Sequence, residues 1–302
     1  MPSWKEIKSR IKSVKNTGKI TKAMELISTV KMKKAQESVL FARPFSLAAV
    51  KVLRSTLHES DVFSEFTKIN ATSDRELIIV VASQKGLCWW YNTNVFKKVV
   101  EYIRTDHDET RSYDYISIWK RARDFILRTG QNLIMDFSDE IKDPLTTAES
   151  RRLVRFILNE WKTGKYQDIT LIYNHYISAI TQIPVAYKFF PLDKDYMISF
   201  LDEMIGKSQE KVIEWEAYTI EPNPECIVDA VLPMVFDLMF HEKLLEAKAS
   251  EHAARMVAMK NAKDSANKKV AALTLSYNKA RQASITKEVS EIVSWVESMK
   301  DI

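Results

Sequence analysis

Apolar side chains recur at three- and four-residue spacing at both ends of this chain, and cluster in short β-branched runs between them. From Leu244 to Met299 no Pro or Gly interrupts a stretch rich in Ala, Lys, Glu, Met and Leu, all helix formers. Read at heptad spacing, Met256, Met259, Ala266, Val270, Leu273, Tyr277 and Ala280 form one stripe. The stripe then steps sideways to Ile285, Val289, Ile292 and Val296, as a stutter makes it do. Such a helix spans roughly 80 Å, more than a globular domain of this size contains, so it must protrude and find a partner. Residues 3–57 read as a second long helix. Trp4, Ile7, Ile11 and Val14 recur at three and four, and Ile20, Met24, Ile27 and Val30 continue the face after a shift. Gly18 lies inside this helix, and Pro44 is expected to kink or interrupt it.

Between the two helices the pattern changes. Residues 76–83 (ELIIVVAS) read as a buried parallel strand. A loop over 83–94 and a helix from about Val95 to Ile103 follow. Residues 113–119 (YDYISIW) and 131–137 (QNLIMDF) predict two more strands with a helix between them, and a further helix runs from Thr147 to Trp161. Residues 169–178 and 182–190 predict a strand hairpin, and residues 211–222 an edge strand. Strand alternating with helix indicates an α/β layer fold with a mostly parallel, Rossmann-like sheet, inserted between the terminal helices.

Charge and composition narrow the chemistry. The 302 residues carry a formal charge of +5. The excess is concentrated in the first 34 residues, where ten Lys and Arg face only Glu6 and Glu25. Such a helix suits nucleic acid or an anionic membrane surface, but side chains for base stacking are nearly absent from it. No window approaches 18 uncharged apolar residues, so no membrane span is predicted. The N-terminus has neither an apolar signal core nor a Ser/Arg-rich leader. Cys88 and Cys226 form no CxxC pair, which disfavours a zinc site and favours a reducing compartment.

An open α/β sheet invites a nucleotide-binding hypothesis, but the phosphate signals are missing. No GxGxxG follows the first strand, and neither TGK triplet, at Thr17 and Thr163, has the upstream Gly of a P-loop. The HEKLL at His241 lacks the second His of a zinc-protease helix. His175 reads as a packed or hydrogen-bonded residue, and Cys88 as a buried structural thiol despite nearby Lys85. No catalytic constellation, cofactor site or metal site is expected.

The wording of several stretches is more specific than their pattern. ASEHAARMVAMKNA (249–262) followed by LSYNKARQASITKEVSEIV (275–293) resembles the C-terminal helix of the gamma-subunit family of the F-type ATP synthase. IKSRIKSVKNTGKITKAMELISTVKMKKAQ (7–36) resembles that family's N-terminal helix. SQKGLCWWYNTNV (83–95) is similar to its Ser-Asp-Lys/Arg-Gly-Leu-Cys-Gly-Gly turn, and EPNPECIVDAVLPMVF (221–236) to its lead-in to the final helix. The resemblance implies a central rotor stalk without a catalytic site of its own. It divides the chain into an N-terminal shaft helix (1–58), an inserted α/β foot (74–220) and a C-terminal shaft helix (224–302), with the two helices wound as an antiparallel coiled coil. The implied partners are the alpha and beta subunits of the catalytic ring, the epsilon subunit and the membrane c-ring. The implied place is the cytoplasmic side of a bacterial plasma membrane, or the matrix side of the mitochondrial inner membrane. The ring contacts carried over by resemblance are Lys22, Met24, Arg255, Arg281, Gln282, Thr286 and Glu288.

Departures from that family share a form. Trp89, Trp90, Trp119 and Trp295 fall where the family has glycine. The chain holds 5 glycines, where an average chain of this length carries roughly 20. This suggests the hypothesis that these four positions are UGA codons, read as glycine by the source organism and rendered as tryptophan by translation with another code; genuine drift to tryptophan is the alternative.

Overall fold

The computed structural model describes residues 3–57, 74–105, 111–191 and 224–300. Its described elements run α1 (Trp4–Leu57), β1 (Arg75–Val81), α2 (Trp89–Thr105), β2 (Ser112–Ile118), α3 (Lys120–Arg128), β3 (Asn132–Asp136), α4 (Thr147–Lys162), β4 (Asp168–Tyr176), β5 (Gln182–Phe190) and α5 (Pro224–Lys300). The chain divides into two compact units. Residues 1–29 and 255–302 form one, residues 30–254 the other. The expected edge strand over 211–222 lies outside the described residues.

The larger unit is built on a five-stranded sheet in the order β3-β2-β1-β4-β5. The first four strands are parallel and β5 returns antiparallel to β4, closing the hairpin expected over 169–190. Side chains alternate across a strand, so β1 supplies both cores. Leu77, Ile79 and Val81 face α4 and the first turns of α5, where Leu153, Ile157, Phe236 and Phe240 close a cluster. Ile78 and Val80 face α2 and α3, through Val95, Val99, Ala122 and Ile126. Burial on both faces explains why β1 reads as an unbroken apolar run. Phe189 holds the first cluster together, with ring centroids 5.7 Å from Phe190, 5.6 Å from Phe236 and 5.1 Å from Phe240.

Three local expectations differ from what forms. α2 begins at Trp89, not Val95, because its first turns are buried through Tyr91 and Asn92, which apolar periodicity does not count. The Asn92 carboxamide accepts the Ser83 amide at 3.0 Å, and the Tyr91 hydroxyl donates to the Ala247 carbonyl at 3.2 Å. α1 continues through Pro44 as one helix, so the interruption does not form there. The third difference concerns the tryptophans. Trp89 and Trp90 open α2 with their rings 72% and 61% exposed, and neither has a positive φ. Among the described non-glycine residues, positive φ falls at Leu87 and Trp119. Trp119 has φ 69° and ψ 156°, a region essentially reserved for glycine, where other residues pay about 1–3 kcal/mol of strain.

The smaller unit is a pair of helices running in opposite directions. Trp4 meets Tyr277 edge-on with ring centroids 6.2 Å apart. Gly18 faces Ala266, and Glu25 receives the Lys263 ammonium at 2.8 Å. Residue numbers rise along α1 as they fall along α5, which is the antiparallel pairing expected of the terminal helices. The inward register of α1 is not the expected one. Ile7, Ile11, Val14, Gly18, Thr21, Glu25 and Ser28 are buried or half-buried at unbroken heptad spacing, whereas Ile20, Ile27 and Val30 are 61%, 57% and 65% exposed. There is no shift after Val14. Small residues take over the seam because they allow close helix approach, and Thr21 satisfies its hydroxyl on the Gly18 carbonyl at 3.0 Å.

Candidate functional site

Open α/β sheets take ligands at the crevice beyond the C-terminal ends of their strands. Here that edge is crossed by bonds between its own loops. The Arg121 amide donates to the Ser83 carbonyl at 3.1 Å, the Lys120 amide to Gln84 Oε1 at 2.9 Å, and Gln84 Nε2 to the Ser138 carbonyl at 3.1 Å. Cys88 is buried, with its Sγ 3.6 Å from the Lys85 carbonyl. His175 pairs with Glu246 at 2.9 Å. His241 meets Ser150 Oγ at 2.9 Å, and burial pushes its pKa below the ordinary 6.5 against an opposing pull from Glu149. Each is a packed or bonded side chain, as the sequence suggested for His175 and Cys88.

The opposite edge of the sheet carries a buried ionic network. Glu76 accepts hydrogen bonds from Thr170 at 2.5 Å and Tyr102 at 2.8 Å, and lies 3.5 Å from Arg111. Arg111 also pairs with Asp168, which receives Lys188 at 2.5 Å. Burial raises the Glu76 carboxyl above its usual range, against the hydrogen bonds of Thr170 and Tyr102 that lower it. Every acid here has a cation or hydroxyl beside it, the arrangement of a structural clamp joining β1 to β4. Among the described residues no group of three or more His, Cys, Asp or Glu side chains could hold a metal ion. No helix among them is long and apolar enough to cross a membrane.

The surface that remains unexplained is on the helix pair. α1 begins at Trp4, opposite Tyr277, so the later turns of α5 face no α1 residue among those described. There Ile285, Val289, Ile292 and Val296 are 52%, 54%, 63% and 51% exposed. Their spacing puts them on one face, and exposed apolar residues grouped in this way mark an interaction surface. The polar residues expected to make contacts fall around them. Arg281 is exposed, with its guanidinium 5.8 Å over the Tyr277 ring. Gln282 and Thr286 are exposed, as is Glu288, which accepts the Ser284 hydroxyl at 3.2 Å. On α1, Lys22 is exposed and Met24 half-buried. Arg255 departs from the set: only 6% exposed, it is not presented as an outward contact in this chain. Arg255 lies one turn before the buried Met259, on the same helix face, which turns it inward despite its charge. Sequence reading also missed Ile20, Ile27 and Val30 as surface, for the register reason given above.

Comparison with known proteins gives this surface a context. A family model described as ATP synthase matches residues 3–299. The chain is similar to the ATP synthase gamma chain of Roseiflexus castenholzii, 33% identical with all of both chains covered. It is similar to that of Pelotomaculum thermopropionicum at 35%, covering 97% of this chain and 98% of the relative, and to that of Nitrosomonas europaea at 36% over the same shares. It shares its fold with a chain in the Euglena gracilis mitochondrial ATP synthase (OSCP/F1/c-ring), with a TM-score of 0.62 at 17% identity over 98% of this chain and 94% of that one. A chain of the Tetrahymena thermophila mitochondrial central stalk/c-ring aligns with a TM-score of 0.54 at 20% identity, covering 80% and 99%.

Proposed function

This chain belongs to the ATP synthase gamma-chain family, and from that premise we propose that it is the central-stalk rotor of an F-type ATP synthase. Turned by transmembrane proton flow, it rotates within the ring of alpha and beta subunits and forces their sites in turn through the states that make ATP. The observation that carries this reading is the apolar stripe Ile285–Val289–Ile292–Val296, left without an intrachain partner among the described residues. A shaft tip that must slide needs an apolar surface with few fixed bonds. Arg281, Gln282, Thr286 and Glu288 around that stripe, with Lys22 and Met24 on α1, supply polar catches. Arg is suited to the role because its guanidinium pairs bidentately with carboxylates. Arg255, being buried, engages the ring only indirectly.

The basic first helix complements acidic loops of the ring. The α/β unit is the foot, holding the epsilon subunit and resting on the membrane c-ring. The chain contributes no catalytic site and no cofactor to the complex. It works at the cytoplasmic face of a bacterial plasma membrane, a reading favoured by its bacterial relatives; the matrix face of the mitochondrial inner membrane is the alternative. Mass spectrometry of the native complex purified through this chain tests the proposal. Recovery of alpha, beta, epsilon and c-ring subunits is expected; recovery of the chain alone, or with nucleic-acid machinery, overturns it.

A further inference from the structure

Residue 119 is in a backbone conformation that its side chain does not fit. With φ 69° and ψ 156° it lies outside even the left-handed helical region that Asn and Asp tolerate. The conformation is fixed from both sides. The Ile118 carbonyl accepts the Ala82 amide at 3.4 Å, the Lys120 amide donates to Gln84 Oε1 at 2.9 Å, and the Arg121 amide donates to the Ser83 carbonyl at 3.1 Å. Relaxing φ would break the join between β2, α3 and the loop after β1. The indole gives a contrary signal: it is fully buried, donates to the Ile141 carbonyl at 3.0 Å and lies 3.7 Å beneath the Lys248 ammonium. Packing can be rebuilt by neighbouring side chains, whereas this backbone is held by bonds that do not involve the indole. The chain is also short of the residue this backbone asks for, with 5 glycines where roughly 20 are usual.

We infer that position 119 is glycine in the protein made by its own cells, specified by a UGA codon that those ribosomes read as glycine. The same decoding extends to positions 89, 90 and 295. There the backbone is helical and the rings are 72%, 61% and 69% exposed, so the glycine deficit supports the substitution and strain does not. Trp161 is the contrast. It is 6% exposed within α4 and stacks on Phe190 at 4.8 Å, an aromatic in an ordinary helical position.

The test is a tryptic digest of the native complex, read by tandem mass spectrometry, together with the codons of the gene. The peptide covering 112–120 is expected to carry glycine at 119, and codon 119 to be UGA. The peptides covering 86–97 and 288–300 report positions 89, 90 and 295, and the peptide covering 156–162 shows tryptophan where it is genuine. Tryptophan in the 112–120 peptide, or UGG at codon 119, overturns the inference. Neither result depends on which subunits co-purify, so its failure is distinct from failure of the rotor reading.

Discussion

A β-carbon placed on Gly18 would lie 3.6 Å from the β-carbon of Ala266, an ordinary van der Waals contact between the two helices of the smaller unit. One methyl group fits there and a larger side chain does not. Gly18→Ala is therefore expected to stabilise the pair, since glycine inside a helix costs about 1 kcal/mol relative to alanine. Gly18→Leu is expected to force the helices apart and lower the unfolding midpoint. Thermal melts of the full chain, followed by helical circular dichroism, check both. A fall in midpoint for the alanine variant would show that the seam is tighter than this geometry.

That contact also shows where the sequence was legible. The α5 half of the seam was readable from Met259, Ala266, Val270, Leu273 and Tyr277, because its inward residues are mostly apolar. The α1 half misled, because Gly18, Thr21 and Ser28 keep the heptad while Ile20 and Ile27 face outward. Hydrophobicity marks a seam only where burial is all that the seam demands. Close approach selects small residues instead, and such a face is found by spacing rather than by apolarity. In the sheet the opposite holds: double-sided burial made β1 plain. Tyr91 and Asn92 escaped because their burial rests on hydrogen bonds. The apolar stripe of the candidate surface was visible in the sequence. Which charges lie beside it was visible only in part, since the burial of Arg255 depends on helix pairing.

The aromatic cluster under the sheet anchors α5 to the larger unit. Phe236 and Phe240 are fully buried, and both pack against Phe189, the first tilted and the second edge-on. Truncating either leaves a cavity in a packed layer, at a cost of about 3–5 kcal/mol. Phe240→Ala is expected to shift chemical unfolding of the full chain by that amount, and Phe240→Leu by markedly less. Equal shifts for the two would place the loss in something other than cavity formation.

His241 gives the larger unit a pH dependence of known sign. Its pKa is depressed on folding, so the unfolded chain binds the proton more readily. Its contribution is full above the ordinary value of 6.5 and is lost as pH falls below it. Denaturant midpoints measured from pH 7.5 down to pH 5.5 should decline, and the decline should be shallower in His241→Gln, which retains a partner for Ser150. An identical slope in the variant would assign the effect to another group.

The exposed stripe on α5 separates stability from function. Ile285 and Ile292 are 52% and 63% exposed in the isolated chain, so replacing both by Asp should leave its unfolding nearly unchanged, each change costing at most about 0.5 kcal/mol. In the proposed assembly both side chains enter an apolar sleeve. Full burial of an isoleucine contributes about 1.5–3 kcal/mol, so losing two weakens the grip of the ring by about a hundredfold or more. The expected pattern is an intact melting curve for the free chain, with sharply reduced recovery of alpha and beta subunits and reduced ATP synthesis in membrane vesicles. The control is Ser276→Asp, exposed on the face of α5 opposite the stripe, which should change neither. A large drop in the melting point of the free chain, with assembly preserved, would instead mean that the stripe is covered within this chain. The shaft tip would then have to lie elsewhere on the helix pair, and the outward Ile20, Ile27 and Val30 would be the next residues to change.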